Sequence, residues 1–235
     1  MIKDPESLNR SIILALDTSA PQAGFALARG GETLAAFTEP EGRPHSQTLF
    51  ANLDRLLTAA SIGLHEIDLF AAVTGPGSFT GLRVGLAALQ GLADAAGKPT
   101  LGADTLTLLA LAVPGEGLRL ITWSAGRHEI YGGLREVAAG GGVRMLGEDL
   151  VGGAGDVREA LSARLEGRAA LLLREAGGEP AAAGEAEIDR GRVNLAEVLA
   201  RCAPRLGREP GREPLQAHYV RPSDAEIRAP REAAG

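Results

Sequence analysis

The residues best suited to chemistry lie in two polar turns, each of which follows a short apolar run. Asp17-Thr18-Ser19 follows the run 11–16, and Thr74-Gly75-Pro76-Gly77-Ser78 follows the run 67–73. A glycine turn that follows a strand and opens a helix forms a possible phosphate site, because turn amides and the helix dipole favour negative charge. The candidates for nucleotide binding are Asp17, Thr18, Ser19, Gly75, Gly77 and Ser78.

Both turns also have a purely structural interpretation. The spacing Gly75-x-Gly77-x-x-x-Gly81 is one residue too long for the dinucleotide fingerprint, and Gly97-Lys98-Pro99 does not complete a P-loop. Asp17-Thr18-Ser19 is a favourable turn sequence, and Ser78 can cap the following helix through its hydroxyl. Tight helix entry and phosphate contact therefore both remain open interpretations.

The sequence offers little for metal or nucleophilic catalysis. Its four histidines, at positions 45, 65, 128 and 218, are scattered, and Cys202 is its single cysteine. A metal site needs several ligands at a defined spacing, and one cysteine cannot form an internal disulfide. We expect no catalytic residues and no metal site, and we interpret His45 as a residue at the start of a helix.

Composition limits the partners of the chain. The formal net charge over 235 residues is −6, without a basic cluster, which argues against tight binding of tRNA by this chain alone. No apolar run reaches the roughly 18 residues of a membrane span, and the first ten residues lack a secretion signal. We therefore expect a cytoplasmic protein with no membrane association.

Two predicted helices flank the glycine turn. The stretch 44–61 has apolar residues at helical spacing, and the stretch 81–96 is apolar nearly all round, with small residues at 81, 85 and 88 on one face. Such a face lets another helix approach closely, and two helices from each partner could form a four-helix bundle. The predicted partner interface comprises His45, Leu49, Leu53, Leu56, Leu57, Gly81, Leu82, Arg83, Gly85, Leu86 and Leu89.

The remaining pattern predicts an α/β fold in two halves. Strands at 11–16, 25–29 and 33–37 open the chain, with Gly30-Gly31 as a hairpin turn, and a weaker β-α repeat follows residue 103. We place the boundary between the halves near residue 103. Residues 223–235 have the composition of a disordered tail.

The run from Gly75 to Gly85, Gly-Pro-Gly-Ser-Phe-Thr-Gly-Leu-Arg-Val-Gly, resembles the signature of the TsaB (YeaZ) family of tRNA threonylcarbamoyladenosine (t6A) biosynthesis. Tyr219-Val220-Arg221 resembles the C-terminal tail of that family. Two segments depart from its usual pattern: 124–131, where an Asp and an Arg are missing, and 174–178, where a Gly-Asp-Gly turn is replaced. The departures put in doubt any ligand between the halves.

The resemblance implies two ribonuclease H-like lobes of the actin-like ATPase superfamily, with mixed sheets and helices. The lobes would be residues 1–103 and a smaller, degenerate lobe at 104–222, and Asp17 would face the nucleotide phosphates. The paralogue TsaD binds its metal through two histidines one helical turn apart, whereas here the residue four positions after His45 is Leu49. The resemblance therefore implies a relative without a catalytic site.

The function implied by the resemblance is that of a non-catalytic scaffold. It would pair with TsaD, together with the ATPase TsaE, so that TsaD transfers threonylcarbamoyl to adenosine 37 of tRNA. The chain would have no cofactor of its own, ATP or ADP would bind within the complex, and tRNA would be contacted only indirectly. In isolation the same helices would form a homodimer.

Two other functions stay open. An ATP-dependent small-molecule kinase of the same superfamily would use Asp17 but needs further carboxylates, which the turns of the second half lack. A glycoprotease-like peptidase would need a paired-histidine site or a nucleophile with its base, and the sequence shows neither arrangement.

Overall fold

The computed structural model describes residue 8 and residues 10–176, 184–206, 210–211 and 213–220. The predicted tail at 223–235, the Arg221 of the tail motif and Gly177-Gly178 of the 174–178 segment lie outside the described residues. The strands are β1 (Ile12–Asp17), β2 (Gly24–Arg29), β3 (Glu32–Thr38), β4 (Leu69–Val73), β5 (Thr100–Ala103), β6 (Gly117–Gly126), β7 (Glu129–Val137), β8 (Val143–Met145), β9 (Leu150–Gly153), β10 (Leu171–Glu175) and β11 (Glu185–Ile188). The helices are α1 (His45–Ala60), α2 (Phe79–Ala96), α3 (Thr105–Ala112), α4 (Ala154–Arg164) and α5 (Leu195–Cys202).

The two sheets repeat one strand order. The first runs β3-β2-β1-β4-β5, with an antiparallel meander of three strands followed by two parallel strands. The second runs β8-β7-β6-β10-β11, again a meander followed by two parallel strands, and β9 also pairs with β7. This confirms the predicted class, an α/β fold of two ribonuclease H-like units with mixed sheets.

Strand β1 is apolar as far as its last residue, Asp17, because both of its faces are buried. Its even-numbered residues, such as Leu14 and Leu16, pack in a core beneath α1 and α2. Its odd-numbered residues, Ile13 and Ala15, pack in a second core that also contains α3, α5 and residues of the second sheet. A smaller cluster lies between β6, β7 and α4.

The division predicted near residue 103 coincides with the end of β5, the last strand of the first sheet. Helix α5, however, comes from the second half and packs against β1, β2 and β4 of the first sheet. One core joins Ile13 and Val73 with Leu109, Ile121 and Leu199. The two sheets therefore share a continuous interior.

Most predicted elements form within a few residues of their expected positions. Asp104 caps α3 by accepting a hydrogen bond from the Thr107 amide at 2.8 Å, as its position predicts. The pattern does not predict β9 and β11, which are four residues each, nor the 3-10 turn Leu64–Glu66. Among the described helices, none combines the length and hydropathy needed to cross a bilayer.

Candidate functional site

The glycine turn and the Asp17 turn face each other across the end of the first sheet. The Ser78 amide donates a hydrogen bond to the Ser19 carbonyl at 2.7 Å, and the Ser19 amide donates to Asp17 Oδ1 at 2.8 Å. Gly75 has a φ of +99°, which favours glycine, and its peptide bond to Pro76 is cis. The two turns thus form one hydrogen-bonded corner at the start of α2.

A third segment completes this corner. The Thr105 amide donates to the Gly75 carbonyl at 2.7 Å, and the Thr105 hydroxyl donates to the Pro76 carbonyl at 2.9 Å. Because Thr105 begins α3, the corner links β4, α2 and α3. A backbone held from both sides in this way is fixed in position before any partner or ligand arrives.

Two of the amides that could contact a phosphate already have partners within the chain. The Ser78 amide is bonded to Ser19, and the Gly81 amide donates to Ser78 Oγ at 3.2 Å, which confirms the predicted cap. Asp17 likewise accepts the Ser19 amide, as in the turn interpretation. These contacts favour tight helix entry over phosphate contact for this corner.

The small residues of α2 are covered by Thr18 of the same chain. A β-carbon on Gly81 would lie 2.1 Å from the Thr18 carbonyl oxygen, and one on Gly85 would lie 2.1 Å from Thr18 Oγ1. The face that we interpreted as open to a neighbouring helix is therefore filled by the Asp17 turn. The glycines are needed because the turn and the helix approach too closely for any side chain.

The cleft between the two sheets is nearly closed. Its cavity has a volume of about 50 Å³ and is lined by residues of both sheets, including Asp17, Trp123, Tyr131 and Arg190. The guanidinium of Arg190 lies 4.8 Å from the centre of the Trp123 ring, and its Nε lies 2.6 Å from Glu175 Oε1. Pockets for drug-sized ligands have volumes of about 300 to 1,000 Å³, so the cavity in this form is far too small for such a ligand.

Two groups in the cleft have shifted pKa values. Burial raises the pKa of Asp17 above 3.8, although the hydrogen bond from Ser19 acts in the opposite direction. Burial also raises the pKa of Tyr131 above 10.0. Both shifts follow from the removal of water from the cleft.

His45 lies at the start of α1, as predicted, and is half-buried. Its Nε2 lies 2.9 Å from the Ala20 carbonyl oxygen, while its Nδ1 is buried without a hydrogen-bond partner among the described residues. Within the described ranges no group of three or more His, Cys, Asp or Glu residues could hold a metal ion. Burial raises the pKa of the Cys202 thiol above 9.0, which keeps it protonated.

The leucines predicted to contact a partner mostly face inward. The core beneath the helix pair contains Leu49, Leu53, Leu56, Leu86 and Leu89. Leu82 is also fully buried. The accessible surface of the pair belongs to other residues, because the leucines are needed to cover the chain's own sheet. We define the outward face as Phe50, Leu57, Arg83, Val84, Ala87, Ala88, Gly91 and Leu92; polar residues such as Gln47, Asp54, Arg55 and Asp94 are also exposed on the same two helices.

The outward face is apolar apart from Arg83. Phe50 is 60% exposed, while Leu57, Val84 and Leu92 are half-buried. Large apolar side chains exposed on adjacent elements are characteristic of interaction surfaces. Of the predicted interface residues, Leu57 and Arg83 lie on this face, and His45 lies at its N-terminal end.

A buried ion network lies on the other side of the corner. Arg135 on β7 is fully buried and donates to both carboxylate oxygens of Asp149, at 2.7 and 2.8 Å, and to Asp104 Oδ1 at 2.8 Å. Its Nε donates to the Thr107 hydroxyl at 2.9 Å. Burial alone would raise the pKa values of both aspartates. For Asp104 the effect of Arg135 outweighs burial, and for Asp149 the effects of His218 and Arg135 together outweigh it. Both pKa values therefore fall below 3.8.

The described C-terminal residues, 213–220, cross from this network to α2, and we call them the strap. The Leu215 amide donates to Gln90 Oε1 on α2 at 3.2 Å, and the His218 amide donates to the Thr74 carbonyl at 2.7 Å. The His218 Nε2 lies 3.0 Å from Asp149 Oδ2. The Tyr219 ring lies 5.1 Å from the Phe79 ring at the start of α2.

Comparison with known proteins identifies the family. The model of the tRNA N6-adenosine threonylcarbamoyltransferase (TsaD) family matches residues 37–165, more than half of the chain. The tRNA threonylcarbamoyladenosine biosynthesis proteins TsaB of Haemophilus influenzae and Escherichia coli are 39% identical to it over 100 and 98 residues. The chain belongs to the TsaB (YeaZ) family. These alignments span 42% of the length of each curated TsaB protein and 43% and 42% of this chain.

Solved structures of YeaZ-like proteins agree with this assignment to the TsaB family. A Pseudomonas aeruginosa protein described as similar to peptidase YeaZ superposes with a TM-score of 0.70 at 26% identity, covering 90% of this chain and all of that one. YeaZ from Pseudomonas aeruginosa superposes with a TM-score of 0.51 at 32% identity, covering 60% of this chain and 66% of that one. The TsaB-family fold therefore extends over both sheets.

Several residues of this TsaB-family chain take part in the site without having been predicted to do so. Arg135 and Asp149 form the buried network, His218 and Tyr219 anchor the strap, and Phe50 dominates the outward face. One signal was available for Arg135, because it is a charged residue within the apolar stretch of β7, where burial requires a partner. The partners themselves are distant in sequence and could not be read from spacing.

The two segments that depart from the family pattern lie around the cleft. Arg127 and His128, both with positive φ, form the turn between β6 and β7. Glu175 accepts the Ser124 amide at 3.1 Å and pairs with Arg190. An acidic residue at 175 thus pairs with Arg190, which lies beside Trp123 in the lining of the cavity.

Proposed function

We propose that this chain acts in t6A biosynthesis as a non-catalytic scaffold partner of the threonylcarbamoyltransferase TsaD, together with TsaE, in threonylcarbamoyl transfer to adenosine 37 of tRNA. The observation that carries the proposal is the outward face of α1 and α2, where Phe50 is 60% exposed above a well-packed core. The family assignment indicates the biosynthetic pathway, and the outward face indicates how the chain would act in it, by binding a partner protein.

The nature of the partner follows from the family match. The TsaD family model matches residues 37–165, which include both α1 and α2, so a TsaD protein carries the equivalent helix pair. Two helix pairs with apolar outward faces can pack as a four-helix bundle. In isolation, a second copy of this chain would occupy the same face and give a homodimer.

The closed cleft supports a role without catalysis. A volume of about 50 Å³ is too small for a nucleotide, and Trp123 and Arg190, which is paired with Glu175, line the cavity. This disfavours the kinase alternative. ATP or ADP would then act within the complex through TsaE, and the net charge of −6 favours indirect contact with tRNA through TsaD.

The test is co-purification with the TsaD protein of the same genome. Phe50→Glu places a charge in the centre of the proposed seam, and we expect it to weaken the complex at least about tenfold, as for a central interface residue. Leu34→Glu, at a 40% exposed leucine on β3, is the matched control and should bind as the wild type does. Failure of the wild-type chain to bind TsaD, or normal binding by Phe50→Glu, would overturn the proposal.

A further inference from the structure

The strap touches α2 through Leu215 and Tyr219, and its anchors belong to both halves of the molecule. Its Leu215 and Ala217 side chains pack against the core beneath α1 and α2. Its His218 amide is bonded to Thr74 of the glycine corner, and a β-carbon on Gly75 would lie 3.1 Å from the His218 carbonyl oxygen. The strap therefore lies directly on the corner that opens α2.

The side chain of His218 ties the strap to the second half. Its partner is Asp149, whose side chain is only 1% exposed. Both carboxylate oxygens of Asp149 accept hydrogen bonds from Arg135. The His218 side chain is 35% exposed, so its ring can exchange protons with solvent. An immobile buried carboxylate facing an accessible imidazole gives a contact whose strength depends on protonation.

The far end of the strap reaches the outward face. The Tyr219 ring, 44% exposed, packs on Phe79, and the guanidinium of Arg83 lies 3.9 Å from the centre of the same Phe79 ring. Arg83 belongs to the outward face, so the cluster of Phe79, Arg83 and Tyr219 continues that face beyond the first turn of α2. Tyrosine and arginine are the residue types most often central to protein interfaces.

We propose that the strap completes the partner-binding face at the start of α2 and is held closed by the His218–Asp149 ion pair as a proton-dependent latch. This inference rests on the proposed function, because the partner that Tyr219 would contact is the same TsaD protein. The occupant is argued from the continuity of the cluster with the outward face. A released strap would remove Tyr219 from that face.

The charged groups around His218 determine the direction of the pH effect. The pKa of His218 is raised above 6.5, mainly by its hydrogen bond to Asp149. Burial lowers the pKa, the charges of Asp149 and Asp104 raise it further, and the charge of Arg135 lowers it. The ion pair therefore contributes fully below about pH 6.5 and is lost as the pH rises through the higher pKa of the closed state. Glu213, which lines the same groove as His218, belongs to the strap itself.

The first experiment uses the isolated chain and so does not depend on the partner. Amide hydrogen exchange of residues 215–219, expressed as protection factors to remove the intrinsic effect of pH, should fall by about fivefold between pH 6 and pH 8.5. His218→Gln keeps a hydrogen-bond donor without a titrating charge and should show low protection at both pH values. His65→Gln, at an exposed histidine elsewhere, is the control and should behave as the wild type does. Protection that is independent of pH in the wild type would overturn the latch.

The second experiment measures affinity for TsaD at pH 6.5. Tyr219→Ala and His218→Gln should each weaken binding at least about fivefold, while His65→Gln should not. Normal binding by Tyr219→Ala, in a preparation where Phe50→Glu abolishes binding, would overturn the strap inference and leave the proposed function intact. If the wild-type chain does not bind TsaD, the proposed function fails, and the interface role of the strap fails with it.

Discussion

Gly85 on α2 and Thr18 after β1 approach so closely that a β-carbon on the glycine would lie 2.1 Å from the threonine hydroxyl oxygen. The contact explains why a glycine occurs in the middle of a helix, where it is otherwise unfavourable. It also sets how closely the start of α2 packs against the Asp17 turn.

We expect Gly85→Ala to destabilise the chain by about 1 to 3 kcal/mol, because the added methyl group overpacks the contact with Thr18. Gly91→Ala is the matched control in the same helix, since a β-carbon there would meet nothing within 4 Å. It should stabilise the chain by roughly 0.5 to 1 kcal/mol. Urea unfolding of both variants measures the free energies. Equal effects of the two substitutions would contradict the packing argument.

The same pair allows a test by rescue. Thr18→Ala removes the hydroxyl that a β-carbon on Gly85 would meet, so Thr18→Ala combined with Gly85→Ala should recover much of the stability that Gly85→Ala loses. Gly81→Ala should not be rescued, because its β-carbon would meet the Thr18 carbonyl oxygen of the backbone. A rescue of Gly81→Ala by the same substitution would show that the clash has been placed on the wrong atom.

Arg135→Met should destabilise the chain by about 3 to 5 kcal/mol, because it leaves the buried carboxylates of Asp104 and Asp149 without their shared cation. Arg144→Met is the control. Arg144 on β8 pairs with Glu136 on β7, the strand that carries Arg135, but the Arg144 side chain is 69% exposed. The loss of unfolding free energy should therefore be below about 1 kcal/mol. Chemical denaturation at neutral pH separates the two cases, and losses of similar size would show that the network is not structurally important.

Asp17→Asn should leave the chain equally stable or more stable at pH 7. Burial raises the pKa of Asp17, so its ionisation opposes folding, and stability decreases as the pH rises from 3.8 to the folded-state pKa. Asparagine has no charge to bury and can still accept the Ser19 amide through Oδ1.

The measurement for Asp17→Asn is the difference in unfolding free energy between variant and wild type as a function of pH. This difference should be near zero in acid and should favour the variant at neutral pH. A variant that is clearly less stable at pH 7 would mean that the ionised carboxylate is stabilised by groups such as His45 or Arg190. That result would reopen the search for a charged role of Asp17 in the cleft.

Local pattern was enough to predict the elements and the family, but not the direction in which side chains point. The strand β1 and the capped start of α2 at Ser78 are encoded by neighbouring residues, and each forms as expected. The small face of Gly81 and Gly85 was predicted to admit another helix, and it is filled by the Asp17 turn instead. Its partner, Thr18, is more than 60 residues away, so spacing could not show that the contact lies within the chain.

The same limit applies to the leucines of α1 and α2. A helix that is apolar nearly all round gives no indication of which side covers its own sheet, and Leu53, Leu82 and Leu89 face inward. The residues that remain exposed, Phe50 above all, become distinguishable only when the sheet is in place. The latch at His218 and Asp149 joins residues 69 positions apart and lacks any local signature.

Helix α5 is made near the end of the described chain, yet it covers β1 and β2, which are made first. Until residues 195–202 leave the ribosome, α5 cannot pack over Ile13 and Ala15. The N-terminal half therefore exposes an apolar surface until α5 has been synthesised. We infer that nascent chains stalled before α5 should require chaperone protection, whereas the finished polypeptide should not.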